Sequence, residues 1–174
     1  FCESCACEVD VDALLKDIVP TAVELTFCGA DAEALAALCN KVLAKYAAEP
    51  KDELRLNFCI DPIIKSLSLK GTCACKENER NCFDVIADLV KATAEYKRVK
   101  VVNVSGATFS NAGSTIVEEL AFTLSAAHEY LVKLMERGLS IDEVARKIRF
   151  TFAVTANYFL EMAKFRAARM LWAN

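Results

Sequence analysis

The chain has 174 residues, 55% of them hydrophobic, with a formal net charge of −3. That length gives one domain with a sizeable core. Cations spread along the chain leave no basic face for nucleic acid, and charges interrupt every segment before it reaches the roughly 18 apolar residues of a membrane span.

The N-terminal FCESCACEVD has no basic stretch leading into an apolar one, so no secretory signal is expected and the chain reads as cytoplasmic. AVELTFC (22–28) is a short apolar run ending at Gly29, suited to a strand buried on both faces. Asp31 then caps a helix through Tyr46, with Leu35, Leu38, Val42 and Leu43 at helical spacing. LRLNFCI (54–60) is the next strand. Pro62 sits in the first turn of the helix that follows, where a missing N–H costs nothing.

GTCACKENERNC (71–82) is the most polar stretch and reads as a surface loop, before an amphipathic helix over 83–96. VKVVNV (99–104) is the clearest strand; a small-residue loop and a long helix from about Ala112 to Arg137 follow, stopping at Gly138. Ser140 and Glu143 form a capping box, IRFTFAV (148–154) is the last strand, and residues 157–173 form the last helix. Strands joined by helix-length connections predict a parallel sheet, either an open doubly wound sheet or about half of a (β/α)8 barrel. On the last helix Tyr158, Met162, Phe165 and Trp172 share a face with Arg169. That guanidinium either snorkels to solvent or pairs with Glu161 or a carboxylate of another element.

The chain has 9 cysteines. Cys28, Cys39 and Cys59 lie in apolar segments and read as small buried side chains. Cys2, Cys5 and Cys7, with Cys73, Cys75 and Cys82, lie in polar surroundings. Their spacing matches no standard pair of ligand pairs and no histidine accompanies them, so reduced loop thiols are the plainer reading and a zinc or iron–sulfur site the sharper one. No metal ligand is assigned.

SGATFSNAGSTIVEELAFTL, ERGLSIDEVARKIRFTF and NYFLEMAKFRAARMLWA resemble the methylmalonyl-CoA mutase family over 99–173, with a weaker collinear likeness over about 12–98. The closing motif carries Glu161, Lys164, Arg166, Arg169 and Trp172. The resemblance implies a partial (β/α)8 TIM barrel of the cobalamin-dependent acyl-CoA mutase type, one incomplete barrel domain over 1–174, without the separate cobalamin-binding domain.

In catalytic members the loop after this strand carries a tyrosine, a histidine and a glutamate, which guide radical formation, polarise the thioester and face the cobalamin. The matching positions are Ala107, Thr108 and Asn111, while Ser105, Gly106, Ala112 and Gly113 are retained. The serine and phenylalanine of the penultimate strand that line the CoA channel correspond to Arg149 and Thr151. The lone histidine, His128, lacks the axial-ligand motif and reads as a packing or surface residue.

The resemblance therefore implies the small, structural chain of a heterodimeric mutase interconverting succinyl-CoA and methylmalonyl-CoA, within propionate metabolism. This chain binds no cofactor in that reading. Adenosylcobalamin belongs to a homologous catalytic large subunit that it stabilises, and the chain alone is inactive. The alternative is a divergent catalytic fragment of a cobalamin-dependent acyl-CoA mutase.

Overall fold

The computed structural model describes residues 10–29, 32–68 and 81–173. Four strands form one sheet: β1 (Leu25–Phe27), β2 (Leu56–Ile60), β3 (Lys100–Ser105) and β4 (Ile148–Thr151). Every pairing is parallel and the spatial order is β1-β2-β3-β4. A doubly wound sheet reverses direction at a switch point. An uninterrupted sequential order is that of an arc of a (β/α)8 barrel, so the fold is α/β and the barrel reading is the one that holds.

The helices are α1 (Val11–Leu14), α2 (Ala32–Lys45), α3 (Pro62–Ser68), α4 (Cys82–Ala92), α5 (Ala107–Asn111), α6 (Ile116–Met135), α7 (Ile141–Lys147) and α8 (Tyr158–Ala173). Side chains alternate across each strand. Phe27, Phe58, Ile60, Val102, Val104 and Ile148 share one face and are buried beneath helices, with Phe27 stacked on Phe58 at 5.3 Å. The opposite face carries Thr26, Asn57, Asn103, Arg149 and Thr151. Asn57 Nδ2 donates to Glu24 Oε1 at 2.6 Å and to Thr26 Oγ1 at 3.3 Å, and Thr151 Oγ1 donates to Asn103 Oδ1 at 2.8 Å.

Several boundaries move. β4 ends at Thr151 because Ala153 gives its N–H to Glu119 Oε1 and its C=O to Lys164 Nζ, leaving neither group for a ladder. The helix expected from Ala112 starts later. Gly113 turns the chain at φ 99, and Thr115 caps α6 in a capping box with Glu118, so the preceding residues form the separate α5. The Ser140–Glu143 box stands as read. α1, capped by Asp10, was not anticipated.

Candidate functional site

In a parallel barrel the chemistry-bearing end is where the strands' C-termini meet their following loops. Here that rim comprises Cys28 after β1, Asp61 after β2, the loop from Ser105 to Ser114 after β3 and the segment after Thr151. Asp61 joins two of them. Its Oδ1 accepts from Tyr130 Oη at 2.7 Å and Ile64 N at 3.2 Å, and its Oδ2 accepts Ser105 N at 3.0 Å. Burial and the Asp61 charge raise the Tyr130 phenol far above its usual value, so it serves as a neutral donor. A carboxylate at a strand end was the signal for this residue, and sequence reasoning passed over it.

The loop itself is built on Gly106. Its N–H donates to Thr151 O at 2.8 Å, tying the end of β3 to β4. A Cβ here would lie 2.5 Å from Thr123 Oγ1, 3.0 Å from Phe152 Cδ1 and 3.3 Å from Glu119 Oε1, so only glycine lets the loop lie this close to α6. Gly113, in the left-handed region, completes the turn. Between them Ala107 and Thr108 are half-buried and Asn111 is exposed. They offer a methyl, a hydroxyl and a neutral amide; none titrates near neutrality, and none ligates cobalt in the way an imidazole does. His128, the chain's single imidazole, is exposed on α6. None of the three loop positions carries the tyrosine, histidine or glutamate that the resemblance implies for catalytic members.

Beneath the loop lies a buried ionic cluster. Lys164 Nζ sits 2.8 Å from Glu119 Oε2, 2.7 Å from Glu161 Oε2 and 2.6 Å from Ala153 O. Glu161 Oε1 accepts from Thr155 N at 3.1 Å and Thr155 Oγ1 at 2.7 Å. Burial opposes the Lys164 charge, but the two carboxylates outweigh it and the amine stays above its ordinary value. Lys164 and Thr155 hold the Glu161 carboxyl below its own.

The last helix thus turns differently from the sequence expectation. Its packed edge is Glu161, Lys164, Phe165, Ala168 and Trp172, with Trp172 edge-on to Phe150 at 4.8 Å. Tyr158, Met162, Arg166 and Arg169 are exposed. The guanidinium of Arg169 therefore snorkels, and the buried cation is Lys164.

Arg149 lies on the strand face opposite the helices. Its Nη1 donates to Thr26 Oγ1 at 3.1 Å and lies 3.7 Å from Glu24 Oε1. β1 and β4 are the two edges of the sheet, three interstrand steps of about 4.8 Å apart. The contact requires the sheet to curl, with Arg149 crossing its concave face.

Of the cysteines, Cys39 is buried as expected and its thiol is pushed up to about 12 by burial. Cys28 is exposed and Cys59 half-buried, which corrects their reading as core side chains. They follow Thr26 and Asn57 on the polar face. Cys82 opens α4; Cys2, Cys5, Cys7, Cys73 and Cys75 lie outside the described residues. Among the described residues no helix is long and apolar enough to cross a membrane.

A family model described as methylmalonyl-CoA mutase matches residues 4–174. The methylmalonyl-CoA mutase small subunit of Porphyromonas gingivalis is 36% identical over 164 residues, 93% of this chain and 25% of that protein. The small subunit of Streptomyces virginiae is 31% identical over 167 residues, 94% of this chain and 25% of its own length. The large subunit from the same organism is 40% identical over 91 residues, 52% of this chain and 12% of that protein. The chain spans about a quarter of the length of the small-subunit relatives it matches.

Proposed function

This chain belongs to the methylmalonyl-CoA mutase family, and from that premise we propose that it acts as a small, structural part of a heterodimeric adenosylcobalamin-dependent mutase. In this reading it is one barrel domain with no catalytic residue and no cofactor of its own. The partner is a homologous large chain that holds the cobalamin and interconverts succinyl-CoA and methylmalonyl-CoA in propionate metabolism in the cytoplasm.

The observation that carries the proposal is the mismatch within one loop. Its backbone is tightly specified, since a Cβ on Gly106 would meet Thr123 Oγ1 at 2.5 Å. Its side chains at Ala107, Thr108 and Asn111 supply no imidazole, phenol or carboxylate. Arg149 supports the same reading, because it lies across the concave face where catalytic members pass their acyl-CoA. The likeness to proteins named as small subunits, across nearly the whole chain, supports the assignment of type.

The retained residues then have structural roles. Ser105, Gly106 and Gly113 shape the rim, Glu161 and Lys164 lock α8 onto α6, and Trp172 seals β4. Arg166 and Arg169 face outward, available to a partner surface. The test is size-exclusion chromatography of the chain mixed with a homologous large mutase chain and adenosylcobalamin. Co-elution is expected, with cobalamin absorbance in the complex and with the large chain run by itself, and none with this chain run by itself. Cobalamin bound by the isolated small chain, or turnover by it, would overturn the proposal.

A further inference from the structure

Cys28 directly follows β1, and Cys59 lies in the neighbouring strand β2. β1 pairs with β2 in the register Leu25–Leu56, Thr26–Asn57, Phe27–Phe58. Extending that register one residue past the end of β1 sets Cys28 opposite Cys59. The rung two residues earlier fixes the face, since Asn57 Nδ2 reaches Thr26 Oγ1 at 3.3 Å. Side chains two residues on point the same way. In-register residues on adjacent strands stand about 4.8 Å apart, inside the roughly 4.4–6.8 Å between Cα atoms that a disulfide spans.

The surroundings favour reaction at this pair rather than at Cys39. Cys28 is exposed, just past the end of the three-residue edge strand β1. Cys59 is half-buried beside it, and Cys39 is sealed from solvent.

We infer that Cys28 and Cys59 form a redox modification site, a dithiol that peroxide converts to an intramolecular disulfide stapling β1 to β2 at the rim. The Cys28 thiolate attacks a peroxide oxygen; the O–O bond breaks, one water leaves after proton uptake, and Cys28 becomes a sulfenic acid. The Cys59 thiol then attacks that sulfur. The S–S bond forms, the S–O bond breaks, and a second water leaves. Two thiols are oxidised and one peroxide is reduced to two waters. A thiol reductant reverses the change.

The test is treatment of the purified, reduced chain with hydrogen peroxide, followed by alkylation and non-reducing peptide mass spectrometry. A Cys28–Cys59 cross-linked peptide, lighter by two hydrogens and lost on reduction, is the expected result. Cys59→Ser should halt the reaction at a Cys28 sulfenic acid captured by dimedone, and Cys28→Ser should abolish the cross-link. Persistence of sulfenic acid at Cys28 in the unaltered chain would overturn the inference. So would a cross-link from Cys28 to any other cysteine, or no oxidation of Cys28 at all.

Discussion

Lys164 Nζ lies 2.8 Å from Glu119 Oε2, both side chains sealed from solvent, and this contact joins α8 to α6 beneath the rim loop. Because Glu161 adds a second carboxylate at 2.7 Å, one ammonium is shared between two buried acids. Removing it leaves both uncompensated. Lys164→Met is expected to cost about 3–5 kcal/mol, read as a lower midpoint in urea. Adding Glu119→Gln to that variant should recover part of the loss, because one fewer buried charge is then unpaired.

The same cluster sets an acid limb. Glu161 titrates below its ordinary value of 4.5 in the folded chain. Its contribution is therefore present above pH 4.5 and is lost as pH falls through the lower folded value. Lys164 is held above its ordinary 10.5, so its share is full below that pH and is lost only as pH rises beyond it. Glu161→Gln should flatten the fall in stability below pH 4.5 while leaving the alkaline limb in place, checked by thermal melts across pH.

Lys147 works in the opposite sense. Burial lowers its amine to about 8, although its Nζ donates to Thr93 O at 2.5 Å and Tyr96 O at 2.7 Å. Below pH 8 both folded and unfolded states carry the proton and the charge is a standing cost. That cost fades as pH rises from about 8 toward 10.5. Melts from about pH 8 to 9 should show a stabilising drift that Lys147→Met removes, because above pH 9.0 the raised Cys39 thiol slopes stability the other way.

Gly106 is constrained by space, not by its φ. Gly106→Ala should cost about 1–3 kcal/mol by overpacking, and Thr123→Ala in the same chain should relieve most of it by removing the atom 2.5 Å away. Gly113 behaves differently. A Cβ there meets nothing within 4 Å, so the cost of Gly113→Ala comes from φ 99 alone and no second-site truncation should rescue it.

Restoring the lost side chains should not restore chemistry. Ala107→Tyr with Thr108→His is expected to give no detectable turnover with adenosylcobalamin and succinyl-CoA. In the proposed reading Arg149 still crosses the concave face and the cofactor is still the partner's. Product formation by that double variant would show that the loop side chains alone were limiting.

The order of elements was legible because apolar runs such as KVVNV and capping residues such as Ser140 are local signals. The local patterns left the barrel and the doubly wound sheet both open; the family resemblance implied the barrel, and the sequential strand order bears it out. The buried cluster was illegible for a different reason. Glu119 and Lys164 are 45 residues apart, and charged residues default to solvent. Helical spacing grouped Arg169 with the apolar side chains, yet which edge of α8 meets the core depends on α6 and Ala153. The Thr115–Glu118 capping box was readable but was passed over, which moved the start of α6 and hid α5. Cys28 and Cys59 look alike in sequence to the buried Cys39, but Cys39 packs inward from α2 while strand alternation turns Cys59 to the polar face.

In the proposed reading the rim loop of this chain performs no chemistry. The most direct measurement is turnover of a mutase assembled from this chain and a homologous large chain, with Thr108→Ala and Asn111→Ala placed in this chain alone. Unchanged kcat and KM are predicted. A tenfold or greater fall in kcat, with the assembly still intact by size-exclusion chromatography, would contradict it.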